Sequence, residues 1–204
     1  MTAKPTSRQL QAQRTKQKIF DTALRLINTC GYDHVNVEQI CKEAGISIGG
    51  FYHHFKNKDG IIVESFKQID TFIEKMLPKI RELPNALDRI VYYLTLFGRY
   101  VANQGVDFTS QLMKSELSTE EKFTLNKERA IFTLLHDIVR EGQEKGQLRP
   151  DIPAEKVTAD LLRFARGIAI HWCISRGSYD LEQDLAQAAR LYTIGLRPEH
   201  NSHQ

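Results

Sequence analysis

The chain has 204 residues, 41% of them apolar, with 28 Lys and Arg against 25 Asp and Glu and a net charge of +3 at pH 7. That is enough apolar material for one or two cored domains, no run approaches the roughly 18 apolar residues of a membrane span, and a charge this small argues against holding nucleic acid by charge alone. Three scattered cysteines (Cys30, Cys41, Cys173) without a Cys-x-x-Cys argue against a disulfide framework or a zinc site and point to a reducing compartment, the cytoplasm.

The charge is uneven: residues 1–58 hold nine Lys and Arg and four Asp and Glu, a net of +5, and the remainder carries −2. A basic head on a slightly acidic body is the asymmetry expected when one end meets phosphates. Residues 1–13 are polar, with Lys4 and Arg8, and lack the apolar core of a signal peptide; they read as a flexible arm. From Arg14 the pattern turns helical, with Ile19, Phe20, Ala23, Leu24 and Ile27 on one face and Gly31 as the stop. Arg14, Lys16 and Lys18 form a basic group near its start, suited to phosphate or to solvent.

Val37 to Lys58 reads as two short helices joined by a tight turn. Asn36 can cap the first, with Gln39 completing a capping box. Ile40, Cys41 and Ala44 give it one apolar side, and Gly45 suits the left-handed residue that closes it. Ile46 fills the gap between the helices. Ser47 can cap the second, on which Phe51 and Phe55 face inward and Gly49, Gly50, Tyr52, His53 and His54 point out. Two glycines cost about 1 kcal/mol each in a helix relative to alanine, which argues that something approaches this backbone closely. Two short helices around a Gly-containing turn form a helix-turn-helix, whose second helix enters the major groove of DNA.

Asn57 is placed to cap a linking helix, residues 58–82, with Ile61, Ile62, Ser65, Phe66, Ile69, Phe72, Ile73 and Met76 along one stripe. Pro78 and Pro84 mark its end or a kink. Residues 83–197 read as helix throughout: 86–102, 107–117, a long helix 119–145, then 154–176 and 181–196 after the stop G-Q-L-R-P-D-I-P. No alternating strand pattern occurs, and a polar tail fills 198–204. The expectation is an all-α fold of about nine helices: a three-helix head over 14–57, the linking helix, and a larger helical body for ligand binding and dimerisation. Helix 154–176 is apolar on more than one side, so it must be buried on more than one side, either within the chain or against a second copy.

The run A-G-I-S-I-G-G-F-Y-H-H-F-K-N-K-D at 44–59, with the preceding helix and the Gly31-Tyr32 turn, resembles the TetR family of bacterial transcriptional regulators. The match covers about the first 65 residues; beyond them, length and helical layout alone resemble the family. The resemblance implies a homodimer joined through the last two helices, double-stranded DNA with a palindromic operator as partner, and a small-molecule inducer that releases it. Repression is the implied default. It also implies that Tyr52 and Lys58 hold phosphates, that the backbone of Gly49 and Gly50 lies near the DNA, and that Ile48 and His53 enter the groove, with Ser47 at the head of the same helix. His54 is expected at phosphate or positioning the helix, and Glu38 where a carboxylate can accept from cytosine N4. The chain departs from the family at Gly50, usually Thr, Ser or Ala, so a family operator does not transfer to it.

Candidates for lining a ligand pocket are Tyr93, Phe97, Tyr100, Phe108, Met113, Phe132, His136, Arg166, His171 and Trp172, each of which also reads as ordinary core. Their mix suggests an amphipathic or aromatic ligand. No metal or cofactor is expected, and Cys41 reads as a small core residue. The chain has no phosphate loop, no Gly-x-Gly-x-x-Gly after a strand and no His-Glu-x-x-His, and is read as having no nucleophile elbow, so an enzyme is not expected.

Overall fold

The computed structural model describes residues 6–120 and 122–198. The first five residues of the expected arm, and the expected tail past residue 198, lie outside them. Among the described residues the fold is helical throughout, with nine α-helices, two short 3₁₀ turns and no strand.

Three helices make the head: α1 (Ser7–Cys30), α2 (Val37–Ala44) and α3 (Ile48–His54), with a 3₁₀ turn at Tyr32–His34 between the first two. The expected arm is shorter than read. Helix α1 starts at Ser7, because Thr6 and Gln9 form a reciprocal capping box that satisfies two end N–H groups. Ile19, Phe20, Ala23 and Ile27 of α1 meet Ile40, Cys41, Phe51 and Phe55 in the head core.

Helix α4 (Asp59–Arg81) connects head and body, with Asn57 Oδ1 accepting from Gly60 N at 2.9 Å at its start. It runs through Pro78 and ends at Arg81, within a residue of the expected bound at 82, and the turn beyond Pro78 buries Ile80 completely in the body core. The body comprises α5 (Ala86–Gln104), α6 (Val106–Ser118), α7 (Ala130–Glu144), α8 (Ala154–Ile174) and α9 (Leu181–Ile194).

The long helix expected over 119–145 is broken: α7 starts at Ala130, and 119–129 holds the second 3₁₀ turn, Phe123–Leu125. Tertiary contacts override the helical pattern here. Phe123 stacks on Phe66 of α4 at 5.0 Å between ring centroids, and Thr124 N donates to Glu116 Oε1 at 2.8 Å. Arg129 reaches back to Asp70 at 2.9 Å and to the carbonyls of Phe123 and Phe66.

Helix α6 belongs to both halves. Its Phe108 is fully buried in the head core, edge-on to Phe20 at 5.8 Å. Asn28 of α1 accepts from Phe108 N at 3.3 Å and donates to Gln104 O at 2.6 Å.

Candidate DNA interface and body cavity

The turn between α2 and α3 is set by local chemistry. Asn36 and Gln39 cap α2 reciprocally at 2.8 and 2.9 Å. Gly45 closes it with φ 62° and ψ 43°, its N–H bonding Lys42 O while Ile46 N bonds Cys41 O. This paired pattern satisfies the last carbonyls of a helix and needs a left-handed residue. Ser47 Oγ then accepts from Gly50 N at 3.0 Å, starting α3 at once. The Gly-x-Ser-x-Gly letters of a nucleophile elbow, which the sequence was expected to lack, are present at 45–49. They join two helices, not a strand to a helix, and the Ser47 hydroxyl is occupied as a cap. It is not an elbow holding a nucleophile.

Phe51 and Phe55 anchor α3, their rings 5.7 Å apart and nearly inaccessible. The opposite face carries Ser47, Ile48, Gly49, Tyr52 and His53, all exposed, with Ile48 and Tyr52 at 47% and 55%. An isoleucine and a tyrosine held out in water by a rigid two-phenylalanine anchor form a surface built for contact. A Cβ on Gly49 would meet nothing closer than 4.0 Å, so the fold itself does not demand glycine there. A Cβ on Gly50 would lie 3.2 Å from Ser47 Oγ, a tight internal fit. Glu38 is exposed in the first turn of α2. His54 is half-buried, and its imidazole is held below the usual histidine range by burial, then by His53 and Lys16.

Two basic residues are less free than the sequence suggests. Lys58 Nζ donates to Tyr32 O at 2.8 Å and Val35 O at 2.9 Å and lies 3.9 Å from the centre of the Tyr32 ring. It ties the start of α4 to the turn after α1, leaving one N–H for anything else. Lys16 pairs with Glu64 at 2.6 Å. Cys41 is 3% exposed and burial pushes its thiol up, which fits a small core residue.

The body holds a cavity of about 50 Å³ between α4, α5, α6 and α8. Of the ten expected liners, Phe97, Tyr100, Met113 and Arg166 reach it. Phe132 lines an adjoining outer cleft of about 80 Å³, which shares Arg166 and Thr124 with the inner cavity. The other five do not. Tyr93 is fully buried with its hydroxyl on Ile131 O at 2.7 Å, and Phe108 is taken by the head core. His136 stacks on Phe132, His171 is exposed beside Tyr179, and Trp172 is buried with its N–H on Tyr179 O. Sequence reasoning sought aromatics and missed the polar wall: Ser65, Gln104, Thr109 and Arg129. A signal existed, since Ser65 interrupts the apolar stripe of α4 and is 1% exposed.

Arg166 is the charge at this site. Burial, then Arg129, pushes its guanidinium down to about 10; Glu116 pulls the other way. No hydrogen bond or ion pair joins Arg166 to another described residue, whereas Arg129 is tied to Asp70 and two carbonyls. Among the described residues no helix is long and apolar enough to cross a membrane, and no group of three His, Cys, Asp or Glu is placed to hold a metal.

Residues 19–64 match the family described as "Bacterial regulatory proteins, tetR family". The chain is similar to the fatty acid metabolism regulator protein of Bacillus subtilis, 25% identical over 80% of this chain and 86% of that one. It is also similar to the HTH-type transcriptional regulator UidR of Escherichia coli, 26% identical over 93% and 92%. Its fold matches that of the transcriptional regulator FadR from Bacillus subtilis in complex with stearoyl-CoA, with a TM-score of 0.68 and 22% identity over 89% of this chain and 99% of that one. Residues 19–64 thus carry the DNA-binding head of the TetR family of bacterial regulators, and the chain as a whole is similar to transcriptional regulators.

Proposed function

We propose that the chain works as a homodimeric repressor that grips a palindromic operator and lets go when an amphipathic anion enters the body cavity. The observation that carries this reading is the double duty of two helices. Helices α4 and α6 supply Ser65, Phe66, Ile69, Thr109 and Met113 to the cavity, and Ile61, Ile62 and Phe108 to the head core. A ligand that moves either helix moves the head. The cavity is far smaller than the roughly 300–1,000 Å³ that a ligand of ordinary size fills, so binding has to part its walls. The ligand then favours a different head position, and by linkage DNA and ligand each weaken the other.

The ligand class we infer is an acyl thioester, by likeness to the regulator that holds stearoyl-CoA. Its support is chemical: apolar walls from Ile69, Phe97, Val101 and Leu112, and an unpaired guanidinium, Arg166, shared with the outer cleft. The dimer has its own support. Ile170 and Ile174 on α8 and Leu191 and Ile194 on α9 are 43–74% exposed. Their spacing makes one stripe on each helix, and Phe164 packs on Tyr192 between the two at 5.0 Å. Two such stripes are what a second copy would cover.

On DNA, Ile48 and His53 would meet base edges and Glu38 a cytosine amine, with Gly49 and Gly50 allowing close approach and the α3 start at Ser47 near phosphate. Tyr52, His54 and the remaining N–H of Lys58 would hold phosphates, which set position while base edges set sequence. Light scattering should give twice the chain mass. A gel shift with the duplex upstream of the chain's own gene should show specific binding that stearoyl-CoA reverses. A monomer, or DNA binding that no acyl-CoA relieves, overturns the corresponding half of the reading.

A further inference from the structure

Three buried side-chain atoms find no hydrogen-bond partner among the described residues: Gln104 Oε1, Thr109 Oγ1 and Glu116 Oε2. Their residues are 7%, 1% and 9% exposed. Glu116 is otherwise engaged, its Oε1 holding the Thr124 N–H and hydroxyl. Gln104 and Thr109 stand on the wall of the inner cavity and are absent from the outer cleft, whereas Arg166 and Thr124 border both. A molecule that extends from the cleft into the cavity lies beside Arg166 and Thr124, which border both, and meets Gln104 and Thr109 only in the inner part.

Buried polar atoms are normally paired, and two left unpaired on the cavity wall describe the group that would pair them. An anion does not suit them, since a carbonyl oxygen offers it no proton. An ammonium does not, because Arg129 and Arg166 line the same cavity. A neutral hydroxyl does, since it can donate to the Gln104 oxygen and can accept from the Thr109 hydroxyl. Resting on the acyl-ligand reading above, we propose that the cavity selects an acyl chain that carries a hydroxyl at the end remote from its acid group.

The test is titration calorimetry on the full chain with dodecanoyl-CoA, 12-hydroxydodecanoyl-CoA and 3-hydroxydodecanoyl-CoA, each repeated as the free acid. A site built to bond a hydroxyl rejects the analogue that lacks it. The 12-hydroxy ligand should bind about fivefold tighter than the plain one or better, the ordinary worth of one such bond, and the 3-hydroxy ligand no tighter than the plain one. Free acids that match their thioesters place the recognised anion at the carboxyl group; thioesters that bind alone assign it to the coenzyme, and the hydroxyl preference holds in either case. Thr109→Val and Gln104→Met keep the side-chain shapes and should erase the preference while the plain ligand binds at least as well, with a thermal melt to show both fold. Equal binding of plain and 12-hydroxy ligands overturns the hydroxyl inference and leaves the acyl reading standing, the two atoms then being served by water. Binding of none of the six overturns both.

Discussion

Asn28 donates to the backbone oxygen of Gln104 at 2.6 Å, so a head helix holds the residue whose side chain borders the cavity. The same amide accepts from Phe108 N, the residue that α6 inserts into the head core. Gly105 lies between with φ 82°, and a Cβ there would sit 2.4 Å from Asn28 Oδ1. One side chain therefore fixes where body meets head, and the turn it fixes accepts glycine for two reasons at once: the left-handed backbone and the lack of room.

Asn28→Ala should lower stability by about 1–3 kcal/mol, because it leaves Gln104 O and Phe108 N without their partner. For a chain of this size that is a fall of roughly 2–4 °C in Tm per kcal/mol. Gly105→Ala should do at least as much through strain and clash. If calorimetry finds either variant as stable as the parent, the junction is not held as described.

Gly49→Ala separates folding from DNA binding. The position is open within the protein, so alanine should raise helix stability by up to about 1 kcal/mol while weakening operator affinity by tenfold or more if the backbone approaches DNA there. A thermal melt and a gel shift on one preparation read both. A variant more stable and equally tight on DNA would remove Gly49 from the interface. Gly50→Ala is the weaker probe, since its new Cβ also presses on Ser47.

The helix-turn-helix was legible because its signals are local: the Asn36–Gln39 box, the left-handed Gly45 and the Ser47 cap each act within four residues. The start of α1 was legible in principle through the same box chemistry at Thr6 and Gln9. The break before α7 was not, because Phe123, Thr124 and Arg129 are captured by Phe66, Glu116 and Asp70, partners up to 63 residues away. The cavity failed for a related reason. Aromatic residues such as Tyr93 and Phe108 fill space, whereas an unfilled space shows itself by polar atoms left over on its wall, and which atoms are left over depends on every neighbour.

Lys58→Met should act on stability as well as on DNA. Two hydrogen bonds from a charged group to Tyr32 O and Val35 O are lost, each of a kind that contributes about 1.5–3 kcal/mol, with solvent screening reducing the sum because the side chain is half-exposed. The DNA effect is read from salt dependence. If the third N–H reaches a phosphate, the slope of log affinity against log salt should fall by about 1; an unchanged slope assigns Lys58 to bracing alone. Tyr52→Phe should weaken binding uniformly across sequences without altering stability, since the exposed Tyr52 hydroxyl bonds nothing within the described residues.

His54 gives a pH test with a definite sign. Its folded-state pKa lies below the ordinary value, burial being the first cause and the neighbouring His53 and Lys16 charges the next. The unfolded chain therefore binds a proton that the folded chain refuses, and stability rises with pH across that window. The contribution is complete above about pH 6.5, the ordinary histidine value, and declines as pH falls from there towards the folded pKa. His54→Gln removes it. The parent should lose more Tm than the variant between pH 7.5 and pH 5.5, and the two should run parallel above pH 7.5. Parallel curves over the whole range would mean that His54 titrates as freely in the fold as in the unfolded chain, so that neither its burial nor the neighbouring charges bear on its protonation.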